Sequence, residues 1–318
     1  MPTILDTPPP DVQTEIDELK NDLDFNLPRK ELDRNLLIAT WNIREFGGLT
    51  EEWNGDEHTP KRDLHSLLLI AEIVKRFDIV AMQEVTGKLK ALRHLLKVLG
   101  EHWSFILTDV SKGSSGNDER LAYVYDSRKV QLSGLACELV TPNEEMDNIA
   151  EGAFNRQFSR TPYAVSFKSG GKTFILITAH ILYGKGPEER EPELAAIAEW
   201  LKQWSGDINA FDQSLILLGD FNIDRAGDPR YEAFVSTGLH IPDDLTKVRR
   251  MIYEKSVKYY DQLAWFKNED GEDKISLKYA RGGAYDFTGI ALNSRNYTNN
   301  SLSWRMSDHL PLWGEFLV

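Results

Sequence analysis

The sequence predicts an α/β (α+β) fold in four layers, two packed mixed β-sheets flanked by helices. Three observations lead there. Four short apolar runs, LLIATWN (Leu36 to Asn42), DIVAMQE (Asp78 to Glu84), FILITAH (Phe174 to His180) and LILLGDFN (Leu215 to Asn222), read as strands buried on both faces. Segments with apolar residues at helical spacing lie between them. The alternation of strands and covering helices also runs twice along the chain, which supplies two sheets.

In order, Val12, Ile16, Leu19 and Leu23 fall on one helical face behind a proline-rich lead. Before Phe25 there are seven acids and one lysine, so residues 1–35 read as an acidic extension with a short amphipathic helix. It is expected to dock on its own domain, residues 36–318, with association or a protein partner as the other use. After the first strand comes a Gly- and acid-rich loop, residues 45–60, longer than a typical connection and starting at the expected site edge, where it would cover the site or repel a long polyanion. A helix over 62–76, a strand over 78–83 and a helix over 88–99 closed by Gly100 follow. Strands are expected at 103–108, 121–125 and 130–136. Residues 163–167 and 173–179 read as a hairpin across Ser169-Gly170-Gly171. Then come a helix over 187–204, the Leu215 strand, a helix near 229–236 and strands at 260–266, 275–279 and 312–317.

The chain has 318 residues, 41% hydrophobic and 27% charged, as globular domains do. The single cysteine, Cys137, excludes an intramolecular disulfide and reads as core filling. No apolar run reaches membrane-spanning length, and the N-terminus carries prolines and acids where a secretion signal needs basic and then apolar residues. A cytoplasmic protein without membrane contact is expected. The net charge of −13 argues against indiscriminate binding of nucleic acid by the whole surface, though not against a local basic groove. One candidate is Lys247, Arg249, Arg250, Lys255 and Lys258 with Tyr253, Tyr259 and Tyr260 among them; the plainer reading is a solvated helix face.

Each of the four strands ends in an uncompensated polar residue, so Asn42, Glu84, His180 and Asp220 share one edge of the core, where ligands bind in open α/β sheets. Gly219 breaks the apolar run, and Asp220 and Asn222, two apart, point to the same side. Asp308 and His309 of SDHLPL join the set. Taken singly these are ordinary features: GDFN can be a capped turn, His180 an edge histidine, Asp308-His309 a turn before Pro311, and Arg160 a surface ion pair. Together, carboxylates and amide oxygens without cysteine suit a hard divalent cation, above all Mg²⁺. The two histidines belong to no zinc-binding pattern and suit acid/base work, so the combination points to phosphate-ester hydrolysis.

TWNI, QEV, FSRTP, TAH, GDFN, YDQLAW and SDHLPL stand in the order and approximate spacing of one family. From about residue 36 to 318 the chain resembles the endonuclease/exonuclease/phosphatase superfamily, typified by deoxyribonuclease I and exonuclease III. The resemblance implies a deoxyribonuclease I-like fold, with Glu84, Asn42 and Asp308 binding the metal, Mg²⁺ or in its place Mn²⁺. It implies that Asp220 and Asn222 orient the attacking water and hold the phosphate, and that Arg160 contacts phosphate. His309, oriented by Asp261, and His180, oriented by Glu119 of NDERLAYVY, would form the acid/base pair. Asp286 of AYDFTG competes with Asp261, which is preferred because YDQLAW continues into an apolar strand. The positions of two deoxyribonuclease I minor-groove residues are Thr86 and Asn117 here, which speaks against duplex readout of that type.

The expected activity is a metal-dependent phosphodiesterase acting on nucleic acid, foremost a DNA endonuclease. The alternatives are a phosphomonoesterase or small-molecule or phospholipid diesterase with the same site, and a regulatory protein with a vestigial one.

Overall fold

The computed structural model describes residues 2–111, 118–139, 160–181, 191–207, 210–253 and 258–318. Six helices are described: α1 (Pro10–Asn26), α2 (Leu64–Val74), α3 (Lys90–Leu99), α4 (Glu191–Gly206), α5 (Pro229–Val235) and α6 (Asn299–Ser303). Twelve strands form two six-stranded sheets. In the first, in spatial order, are β11 (Lys278–Ala284), β12 (Leu312–Leu317), β1 (Asn35–Phe46), β2 (Ile79–Thr86), β4 (Glu119–Asp126) and β3 (Trp103–Leu107). In the second are β5 (Gln131–Glu138), β6 (Tyr163–Ser169), β7 (Lys172–His180), β8 (Leu215–Ile223), β10 (Tyr259–Phe266) and β9 (Leu239–His240). Both sheets are mixed: β1 pairs parallel with β2 and antiparallel with β12, and β7 pairs parallel with β8.

Side-chain alternation assembles the layers. In β1, Leu36 and Ile38 face the second sheet and join a core with β7, β8 and β10. Leu37, Ala39, Trp41 and Ile43 face the opposite way, into a second core with α1, α2 and α3. Continuing the first series, Thr40 and Asn42 point between the sheets. Thr40 meets Gln83, whose Nε2 also donates to Thr178 Oγ1 of the second sheet at 2.9 Å. This polar bridge lies one turn of the pleat beneath the strand ends that carry Asn42, Glu84 and His180.

The four buried runs are strands where expected. α2 starts one residue after Asp63, which accepts from the Ser66 amide as its N-cap. α1 puts Val12, Ile16, Leu19 and Leu23 into the same apolar cluster as α2, so this stripe is committed to its own chain. α4 is described only from Glu191; the expected start at 187 lies outside the described residues.

Three readings change. The strand expected at 275–279 is β11, shifted to 278–284, because Tyr279, Gly282 and Gly283 pair along β12 while Leu277 turns into the core. In its described part the basic run is neither a helix face nor an open groove. Arg250 is wholly buried and donates to the carbonyls of Leu245, Val248, Lys258 and Asp261, while Arg249 holds Asp286. Lys255 lies outside the described residues. Loop 45–60 does not hang over the site: Glu51 pairs with Lys90 and Asp56 with Arg305, and none of its residues lines the pocket described below. Cys137 is half-buried against the first core, where burial pushes its thiol pKa up.

Candidate active site

Where the strands of both sheets end together, a pocket of about 380 Å³ opens, lined by Glu84, Arg160, His180, Asp220, Asn222, Met251, Tyr253, Tyr260, Asp308 and His309. The strand register brings the polar residues together. His180 of β7 lies beside Asp220 of the parallel β8, and Asp261 of β10 lies on the other side of Asp220. Gly219, one residue earlier, makes this possible: its φ is +147°, and a Cβ there would stand 2.1 Å from the Ala179 carbonyl oxygen. From the first sheet, Glu84 reaches the pocket on a left-handed backbone, φ 60°, and Glu45, at φ 44°, donates its amide to it.

Two histidine–carboxylate pairs face each other across Asp220. Nδ1 of His309 is 2.8 Å from Asp261 Oδ2, and Nδ1 of His180 is 2.9 Å from Glu119 Oε2. In each case Nε2 stands 3.6 Å from the same atom, Asp220 Oδ2. Each pair joins the two sheets: Glu119 starts β4 of the first and His180 ends β7 of the second, whereas Asp261 lies in β10 and His309 precedes β12. All five residues are buried. A carboxylate on Nδ1 fixes that nitrogen as the donor and leaves Nε2 for chemistry.

Burial alone would depress the pKa of His309, but the Asp261 and Asp220 carboxylates hold it well above the ordinary imidazole value. Burial and the Arg160 guanidinium pull His180 down, and the Glu119 hydrogen bond with the Asp220 charge outweighs them. Asp220 is the converse: burial would raise its carboxyl, yet the two imidazoles, the Asn42 amide and the Asn222 N–H keep it below the usual range.

Arg160 is no free surface cation. It is 4% exposed, its Nε lies 2.9 Å from Glu119 Oε2, and it lines the pocket beside His180. Asn222, at φ 51°, donates its amide N–H to Asp220 Oδ1 and its Nδ2 to the Ile181 carbonyl. Asp286 is excluded as the partner of His309, since it is exposed and holds Arg249 and Thr288. Thr86 ends β2 opposite Glu119; Asn117 lies outside the described residues.

For a hard cation, two groupings compete. Ligand atoms of Glu84, Glu119 and His180 lie within 4.8 Å of one another. Glu119, however, already holds His180 and Arg160, so a cation there would displace a guanidinium. Asn42 fits better. Its Nδ2 lies 3.0 Å from Glu84 Oε1, and its Oδ1 is buried without a hydrogen-bond partner, an orphan acceptor at a carboxylate. Glu84 belongs to both groupings, and Asp308, half-buried, lines the same pocket.

Sequence reasoning missed Met251 and offered Tyr253 and Tyr260 only as part of the basic run. Met251 forms an isolated bridge with His309, and Tyr253 is bonded to Ser303. Their segment lacks the apolar periodicity that marks the other elements.

A family model described as the Endonuclease/Exonuclease/phosphatase family matches residues 39–297. The chain belongs to this family. Its members are hydrolases acting on phosphate esters, generally dependent on divalent metal. The chain is 28% identical over 195 residues to a deoxyribonuclease of Thioalkalivibrio sp. (strain K90mix), across 59% of this chain and 46% of that one. It is 26% identical over 202 residues to deoxyribonuclease-1 of Bos taurus, across 61% of this chain and 63% of that one. The match thus spans less than two thirds of the length of either relative. Among solved structures of the same fold is a mannosyl-6-phosphatase of Bacteroides thetaiotaomicron VPI-5482, with TM-score 0.59, 19% identity, and coverage of 89% of this chain and 100% of that one. Among the described residues of this family member, no helix is long and apolar enough to cross a membrane.

Proposed function

We propose that this family member is a divalent-metal-dependent phosphodiesterase acting on nucleic acid, a DNA endonuclease that uses Mg²⁺ and accepts Mn²⁺. The observation that carries the reading is the paired arrangement of His309–Asp261 and His180–Glu119, both Nε2 atoms 3.6 Å from Asp220 Oδ2 in one pocket. Hydrolysis of a phosphodiester needs a proton taken from water and another given to the leaving oxygen, and two carboxylate-oriented imidazoles serve both needs. The two similar relatives that carry the name deoxyribonuclease favour DNA over a small phosphate ester.

Glu84 and Asn42, with Asp308, would hold the cation, which supplies charge neutralisation at the phosphate. Arg160, beside His180, adds positive charge on the phosphate side. Asp220 and Asn222 orient the attacking water. One imidazole takes a proton from that water at Nε2 as the new O–P bond forms. The other gives a proton from its Nε2 to the leaving oxygen as the old P–O bond breaks. Asp261 and Glu119, each beside Nδ1, hold each ring in the required tautomer.

The test is supercoiled plasmid incubated with the protein in Mg²⁺ or Mn²⁺ and in EDTA, with Glu84→Ala as control. Nicking that needs metal and is lost in the variant is expected. An untouched plasmid, with faster turnover of a small phosphate monoester, would replace this reading by a phosphomonoesterase.

A further inference from the structure

Arg62 lies outside the pocket yet is bonded to both segments that supply it. It is 2% exposed, and among the described residues no carboxylate forms an ion pair with it. Its guanidinium is spent on four main-chain carbonyls. It donates to Arg44 O at 2.7 Å, Glu45 O at 3.0 Å, Arg305 O at 3.0 Å and Met306 O at 3.1 Å. The first two carbonyls follow Asn42 at the end of β1; the last two directly precede Ser307, Asp308 and His309.

Ser307 makes a second tie between the same segments. Its hydroxyl donates to Asn42 O at 2.6 Å and accepts from the His309 amide at 3.0 Å. The peptide gripped by Arg62 is also the one that touches Glu84: the Glu45 amide donates to Glu84 Oε2 at 3.0 Å. Both Glu45 and Glu84 have positive φ, a conformation that persists in non-glycine residues only where surrounding bonds over-determine it. Burying a guanidinium without a carboxylate partner is costly, even when its N–H groups are satisfied by carbonyls. Its carbonyl bonds at this junction give it another use.

We propose that Arg62, with Ser307, is a positioning clamp for the cation-binding residues. Arg62 fixes Glu84 through the Glu45 peptide and Asp308 through the 305–306 carbonyls, and Ser307 locks Asn42 to the same turn. The clamp rests on the reading that Glu84, Asn42 and Asp308 hold the cation. Partners that orient metal ligands without touching the ion are typically worth roughly 10- to 100-fold in metal affinity.

The experiment is Mn²⁺ binding to the intact chain, measured by electron paramagnetic resonance, for the wild type, Glu84→Ala, Arg62→Lys and Ser307→Ala, with thermal melting of each. One lysine ammonium cannot serve four carbonyls, so Arg62→Lys is expected to weaken Mn²⁺ binding at least about 10-fold. Ser307→Ala is expected to weaken it in the same direction. At saturating Mn²⁺ the KM for substrate should stay near the wild-type value, a split that general loss of structure would not give. Arg62→Lys that is folded and binds Mn²⁺ as the wild type does overturns the clamp alone. If Arg62→Lys does not fold, the decision passes to Ser307→Ala, whose unchanged affinity overturns it equally. Wild-type protein that binds no Mn²⁺, or a Glu84→Ala variant that binds it undiminished, removes the metal reading of the site and the clamp with it.

Discussion

Gly219→Ala tests the close approach of β7 and β8 that sets Asp220 beside His180. The added Cβ would meet the Ala179 oxygen at 2.1 Å and its nitrogen at 2.9 Å. Carbon-to-carbonyl-oxygen contacts settle near about 3.3 Å, so the strands must part by roughly 1 Å at this point. Overpacking of a rigid interior costs about 1–3 kcal/mol, and a strained φ of +147° costs about as much again. The expected destabilisation is therefore about 2–6 kcal/mol, read from urea unfolding curves at fixed m. Gly171→Ala is the control. Gly171 has φ +79° but open space around it, so it carries only the backbone penalty of roughly 1–2 kcal/mol. Folded Gly219→Ala protein should also cleave plasmid roughly 10²-fold more slowly, since a displacement of 1 Å at a reacting centre costs about that much. A Gly219→Ala variant no less stable than Gly171→Ala would refute the argument from close approach.

Two other outcomes follow from the ion pairs. Asp261→Asn should leave the fold intact but lower kcat by about 10²–10⁴-fold, because an amide can fix the wrong tautomer of His309; initial rates at saturating metal check this, and an unchanged rate would remove His309 from the acid/base pair. Asp126 gives a pH signature. Burial raises its carboxyl, but hydrogen bonds from Arg128 and Lys30 bring it down to about 2. A depressed carboxylate pKa stabilises the fold above its unfolded value and loses that contribution as pH falls from about 4 to about 2. The stability deficit of Asp126→Asn should therefore shrink over that window in urea titrations, and a constant deficit would contradict the assignment.

The strands that carry the candidate site were legible because they are buried on both faces. LILLG and FILIT can be little else, and the polar residues that end them share an edge by topology alone. The two sheets followed from repetition of that pattern. β11 was misplaced because KYARGGA has neither an apolar run nor clean alternation; its register is dictated by β12. The two-residue β9 and the single-turn α6 are held by their neighbours and leave no periodic trace. Asp261 could be preferred to Asp286 from the apolar strand that follows it. Arg250 and Arg62 could not be told from surface cations, since their partners are carbonyl oxygens, which every residue possesses. Arg62 stood one position before the N-cap Asp63 of a strongly apolar helix, the one local hint that it turns inward.

The position of β1 bears on how the chain is made. β1 is an interior strand whose neighbours are β2, which begins at Ile79, and β12, which runs from Leu312 to Leu317. On a ribosome the first neighbour is available soon after β1 emerges, while the second follows only after nearly all the remaining chain. Loop closure over such a separation is slow, and until it occurs one edge of LLIATW offers unpaired amides and carbonyls beside apolar side chains. β1 is therefore the segment most exposed to mispairing during synthesis, and the one whose protection by a chaperone would most affect the yield of native protein.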